Sequence, residues 1–223
     1  MLRAVLLDVD GTLVRSNDAH AEAWSRAFSA YGYDVPSAKV RGWIGMGGDK
    51  ILRQVDPELT SESGLGKAIE QLRPQIFLGE YVARLESTNG ARALLERIHA
   101  AKLLRVVATS AKEEELWPVL KAAGIQDEID LATTSDDADR SKPDPDIVGA
   151  ALCKASCAKS EAIYLGDTPY DITAAHAAGL SVIALTCGGW DRAALAQADA
   201  VYEDPADLLE HFGSWESAAL VER

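Results

Sequence analysis

Cysteine, long apolar runs and positive charge are all scarce in this chain, and each shortage excludes something. Three cysteines in 223 residues, Cys153, Cys157 and Cys187, offer no Cys-x-x-Cys pair, which excludes a thiolate metal centre and a disulfide framework. Cys153 and Cys157 stand four apart in a helix-like stretch, the pattern of buried thiols in a reducing cytoplasm. No apolar run approaches the roughly 20 residues of a membrane helix. The N-terminal run Val5-Leu6-Leu7 stops at Asp8, which argues against a secretory leader. With 22 basic against 35 acidic side chains, the net charge of −13 speaks against nucleic acid and anionic membrane surfaces as partners.

What is present is the composition of a globular protein, 48% hydrophobic and 26% charged, long enough for one large domain or a domain with an insert. The acidic excess is uneven. Residues 15–86 hold 9 basic and 10 acidic side chains, whereas the remainder holds 13 and 25. Such a break is consistent with a separate module inside the chain.

Periodicity divides the chain in the same place. After a first strand, Asn17–Tyr31 has the apolar spacing of an amphipathic helix (Ala23, Trp24, Ala27, Phe28, Tyr31), with Ser16 or Asn17 as its N-cap. A glycine-rich break over Gly42–Gly48 precedes a short helix over Lys50–Val55. Leu65–Leu85 is helix-like with interruptions near Pro74 and Gly79. About seventy residues of helical character thus separate the first strand from the next, Leu104–Thr109. From Asn89 onward helices (91–101, 113–123, 145–154, 169–178) alternate with short strands at 131–134, 163–165 and 182–185. That alternation predicts an α/β fold with a parallel sheet covered by helices on both faces. The segment from Phe212 to Arg223 carries no readable signal.

Chemistry-bearing residues fall at the ends of the strands. Asp8-Val9-Asp10-Gly11-Thr12 follows Val5-Leu6-Leu7, and Gly166-Asp167-Thr168-Pro169-Tyr170-Asp171 follows Ile163-Tyr164-Leu165. Carboxyl ends of parallel strands form the crevice where such sheets bind ligands. Carboxylates gathered there repel one another unless a cation lies between them, and an all-oxygen set suits Mg²⁺. Thr109-Ser110 ends another strand, and Lys142 stands in Ser141-Lys142-Pro143-Asp144-Pro145. A carboxylate nucleophile, a hydroxyl, an ammonium and a metal-binding acid are the parts of phosphoryl transfer through an aspartyl phosphate.

These four motifs, in this order over residues 1 to 210, resemble the haloacid dehalogenase superfamily, most of whose members are phosphatases. The resemblance implies a Rossmann-like sheet of order 5-4-1-2-3, with residues 1–14 and 88–223 as the core. It also implies an inserted α-helical cap of the C1 type over residues 15–87. In residue roles it implies Asp8 as nucleophile, Asp10 as acid and base, and Thr109, Ser110 and Lys142 as phosphate-binding groups. Mg²⁺ would be held by Asp8, Asp10 (through its carbonyl), Asp167 and Asp171. Asp171 in a helix's first turn could instead complement the dipole. His20 is either a packed histidine or a functional one, as in related phosphomutases.

Gly45-Met46-Gly47-Gly48-Asp49-Lys50 lacks the ending of a Walker loop and reads as a cap loop approaching the core. Arg41, Lys50 or Arg53 would then touch the non-phosphate part of the substrate. The expectation is a cytoplasmic, Mg²⁺-dependent phosphatase for a small phosphorylated metabolite of the phosphoglycolate or sugar phosphate type. A β-phosphoglucomutase-like mutase ranks second, because those mutases generally show an acidic residue where this chain has Gly166. A phospho-acceptor or binding relative ranks third, and Asp10 disfavours a dehalogenase.

Overall fold

A computed structural model describes residues 2–213, so residues 214–223 of the unreadable C-terminal segment lie outside the described residues. In chain order the elements are β1 (Ala4–Leu7), α1 (Asn17–Ala30), α2 (Ser37–Arg41), α3 (Gly48–Val55), α4 (Gly64–Glu80) and α5 (Ala91–Ala100). Then come β2 (Leu104–Ala108), α6 (Glu113–Ala122), β3 (Leu131–Thr133), α7 (Asp146–Ala155), β4 (Ala162–Gly166) and α8 (Pro169–Ala178). The chain continues through β5 (Ser181–Leu185), β6 (Ala200–Tyr202) and α9 (Pro205–Glu210).

The six strands of the described residues pair in parallel in the order β3-β2-β1-β4-β5-β6. The expected order of five strands is there, extended at the β5 edge by β6. That strand is only three half-buried residues long, too short for a pattern to betray it. β1 is fully buried and central. Its alternate residues serve two cores, Val5 and Leu7 on one face and Ala4 and Leu6 on the other. A strand packed on both faces must be apolar throughout, which is why the run is unbroken until Asp8.

Register decides where the chemistry emerges. Leu7 is level with Val107 of β2 and Leu165 of β4. Asp8, Thr109 and Asp167 therefore leave the sheet at the same edge, and the Asp8 N–H still donates to the Leu165 carbonyl at 2.9 Å.

The helices α1 to α4 enclose a third core around Trp24, Phe28, Ile51, Leu52 and Ile69. Helix α4 runs unbroken through Pro74 and Gly79, against the expected interruptions. Ile69, Arg73 and Phe77 bury one face of it, and that packing outweighs the hydrogen bond lost at the proline. Tyr31, expected on the buried face of α1, is 37% exposed just beyond the helix end. The thiols are free as expected, but Cys153 and Cys157 are less buried than expected. Cys153 and Cys187 are exposed and Cys157 is half-buried. Helix α7 turns Ile147, Val148, Ala151 and Ala155 inward instead. No described helix is long and apolar enough to cross a membrane.

Tyr164 links sheet and site. It is fully buried in β4, and its hydroxyl lies 3.1 Å from the Ala108 carbonyl and 3.0 Å from Asp171 Oδ1. Tyr164→Phe leaves those acceptors short of a donor and is expected to cost about 1–3 kcal/mol in urea unfolding. An unchanged midpoint would show that the hydroxyl does not tie the two together.

Candidate active site

Asp8, Asp167 and Asp171 converge where β1 and β4 end, with one oxygen from each within 4.8 Å of the others and all three side chains buried. Among them stands a single ammonium. Lys142 Nζ donates to Asp8 Oδ1 at 2.6 Å and contacts Asp171 Oδ1 at 2.8 Å. Thr12 bridges Asp8 and Asp167, with its hydroxyl 3.1 Å from one and 3.2 Å from the other. Asn17 donates to Asp167 Oδ2 at 2.9 Å. Glycines make the room: a Cβ on Gly11, whose φ is +87°, or on Gly188 would collide with the Asp167 carboxyl.

Three carboxylates against one ammonium leave a net negative charge in a buried place, and the titration behaviour follows. Burial opposes a charge on Lys142, but Asp171 and Asp8 outweigh it and hold the ammonium well above its ordinary pKa. Burial raises Asp8 to about 7, with Lys142 pulling it down and Asp171 and Asp10 adding to the rise. Asp167 is likewise driven well above the usual range by burial, then by Asp8 and Asp171. One ammonium cannot compensate the whole set. The donors are all carboxylate oxygens, the set that suits a hard divalent cation.

Asp10 stands apart, two residues from Asp8 but turned to the helical insert. Its Oδ1 is 3.0 Å from His20 Nε2 and accepts the Ser16 hydroxyl. Burial works to raise its pKa, yet His20 and the bonds from His20 and Ser16 bring it down to about 2. Ser16 does occupy the N-cap position of α1, but its hydroxyl goes to Asp10 rather than to the helix. His20 is both packed and engaged, stacking on Phe77 at 3.8 Å between ring centroids. Asp171 stands in the first turn of α8, where it closes the capping box with Thr168, and its other oxygen faces Lys142.

A cavity of about 50 Å³ opens beside Asp8 and Asp10, between sheet and insert, and Thr109 and Ser110 line it. The Thr109 hydroxyl accepts from the Ala111 N–H at 3.1 Å and keeps its own proton to donate, and Ser110 Oγ is buried without a partner. The glycine loop after Gly42 meets the core as expected, because a Cβ on Gly45 would lie 2.7 Å from Thr168. Its basic neighbours are engaged elsewhere. Arg41 bonds Asp18 and the Gly188 carbonyl, and Lys50 bonds Asp144 and the Ser141 carbonyl. Arg53 lines a separate cavity of about 230 Å³. The cavity beside Asp8 takes Trp24 and Arg73 instead. Arg73 is anchored to Glu115, 42 residues away, and no local pattern reveals such a pair.

Residues 5–185 match the haloacid dehalogenase-like hydrolase family. The chain belongs to that family. Validoxylamine A 7'-phosphate phosphatase of Streptomyces hygroscopicus subsp. limoneus is 28% identical over 211 residues, covering 93% of this chain and 96% of that protein. Phosphoglycolate phosphatase of Photorhabdus laumondii subsp. laumondii is 27% identical over 221 residues, covering 95% and 93%. The crystal structure of a hydrolase from Pseudomonas syringae has a TM-score of 0.88 at 29% identity, covering 96% of this chain and 99% of that one. In this haloacid dehalogenase-like chain, the residues of all four sequence motifs meet at one edge of the sheet.

The raised carboxyls have a consequence for stability. An unfolded aspartate titrates near 4, Asp8 in the folded chain near 7, so the folded state holds the proton more tightly. The stability this contributes is present below pH 4 and is lost as pH rises through 7. Asp10, lowered to about 2, acts only below that window. In excess chelator the unfolding temperature is expected to fall from about pH 5 to about pH 8. A rise over that interval would contradict the raised carboxyls.

Proposed function

We propose that this chain is a Mg²⁺-dependent phosphoric monoester hydrolase acting on a small phosphorylated metabolite, of the phosphoglycolate or sugar phosphate type, through an aspartyl phosphate on Asp8. The observation that carries this reading is the buried set of Asp8, Asp167 and Asp171 with Lys142 as its one ammonium, set beside the hydroxyls of Thr109 and Ser110. The names of the relatives above support the reaction class. Residues 15–87 serve as the cap and the rest as the core, and the free thiols fit a cytoplasmic setting.

When bound at Asp8, Asp167 and Asp171, Mg²⁺ supplies the positive charge that the nucleophile and the phosphoryl oxygens lack. Lys142 neutralises part of the charge on Asp8 and orients its carboxylate, and Thr109 and Ser110 donate to the phosphoryl oxygens. An Asp8 oxygen attacks phosphorus and the ester P–O bond breaks. Asp10 gives a proton to the leaving oxygen, then takes one from the water that releases phosphate from Asp8. At rest Asp10 is ionised; an approaching anionic ester raises its pKa, so it takes up a proton from solvent on binding, and that proton is the one it gives to the leaving oxygen. A β-phosphoglucomutase-like mutase ranks second, because those mutases generally carry an acidic residue where this chain has Gly166; a Cβ at Gly166 would lie 2.6 Å from Asp171.

Phosphate release from a panel of phosphate monoesters is expected with Mg²⁺ and not with excess EDTA. Asp8→Asn is expected to lower turnover by about 10³-fold or more. A folded Asp8→Asn protein of near-parental activity would remove the nucleophile assignment. Asp10→Asn is expected to cost about 10²–10⁴-fold, with phosphate accumulating on Asp8 or failing to reach it. Parental steady-state rates in that variant would rule out Asp10 as acid and base.

A further inference from the structure

The walls of the cavity beyond the phosphoryl-binding residues hold one arginine or lysine among the described residues, Arg73 of α4. It is 8% exposed, and its guanidinium meets Glu115 of α6, fully buried, through both terminal nitrogens, with Nη2 at 2.9 Å from Oε1. The Trp24 ring lies 5.2 Å from the guanidinium carbon. A bidentate pair fixes the guanidinium in place and cancels its charge, while Nε is left buried without a partner. The group therefore brings the cavity wall no net positive charge.

Other cations of the helical insert and of the loop after β2 face acidic partners as well. Lys50 is matched by Asp144, Arg41 by Asp18, and Lys112 faces Glu70 at 3.9 Å. In the larger cavity that shares Ser110, Arg140 is paired with Asp144 and Asp146, and Arg53 lies in a lining that also holds Asp49, Glu62 and Asp139. A substrate carboxylate entering the cavity beside Asp8 would leave water and meet, in Arg73, a guanidinium already matched by Glu115, and burying an unpaired charge is costly. A hydroxyl asks only for donors and acceptors and brings no charge that must be matched.

Building on the phosphatase reading, we propose that this site selects phosphate monoesters of uncharged, hydroxyl-bearing alcohols, of the sugar or polyol class, over those whose leaving group carries a carboxylate. Glu115 sets the preference by neutralising Arg73.

The test uses size-matched pairs that differ only in carboxylate against hydroxymethyl: 2-phosphoglycolate with 2-hydroxyethyl phosphate, and 3-phosphoglycerate with glycerol 3-phosphate. An aryl phosphate serves as the general phosphatase substrate. The parent protein is expected to favour the hydroxymethyl member of each pair by about tenfold or more in kcat/KM. Glu115→Gln keeps the shape but frees the charge of Arg73. It is expected to move the ratio about tenfold toward the carboxylate members, chiefly through KM.

Equal or greater activity on the carboxylate members in the parent overturns the inference while the aryl phosphate upholds the phosphatase. Parental selectivity in folded Glu115→Gln overturns the role of Glu115. Should that variant not fold, the charge-balanced pair Arg73→Gln with Glu115→Gln is expected to retain the parental preference, and a swing toward carboxylates would contradict the account. No release from any ester overturns both readings.

Discussion

Burying Asp8, Asp167 and Asp171 within reach of a single ammonium is the constraint on which the rest of this structure depends. An uncompensated buried carboxylate costs several kcal/mol, so a fold that gathers three of them must hold them against their repulsion. The parallel sheet does this by register, because Leu7 is level with Leu165 and both strands end together. Lys142, Thr12 and Asn17 satisfy individual oxygens, and Gly11 and Gly188 give up their side chains to make room. Such an arrangement favours function over stability, since the residual negative charge makes the site receptive to a cation.

The two aspartates of the first motif illustrate how environment assigns chemistry. Asp8 and Asp10 are two residues apart, yet burial raises one to about 7 while His20 and Ser16 outweigh burial to bring the other down to about 2. One sits at the end of the central strand facing like charges, the other faces the helical insert. Divergent environments for neighbouring carboxyls are a recurrent device for separating an attacking group from a proton-transferring one.

Much of this was legible in the chain. The apolar run ahead of Asp8, the alternation of strands and helices after Asn89, and the position of the helical insert all rest on local patterns that survive folding. So did the convergence of Asp8, Thr109, Lys142, Asp167 and Asp171, because parallel strands share one carboxyl edge. What escaped is non-local or too short. β6 has three residues, and α4 crosses Pro74 because tertiary packing outweighs a local breaker. The pairing of Arg41 with Asp18 and of Lys50 with Asp144 joins residues far apart in the chain and cannot be inferred from local pattern. Arg73 and Glu115, which shape the cavity, are joined only by the approach of α4 to α6.

The most direct measurement is a calorimetric titration of Mg²⁺ into the protein near neutral pH, repeated in buffers of different ionisation enthalpy so that proton release is counted. One saturable site per chain and a net release of protons are expected, because Asp8, raised to about 7, keeps part of its proton until a cation replaces it. No saturable binding, or binding without proton release, would contradict the account.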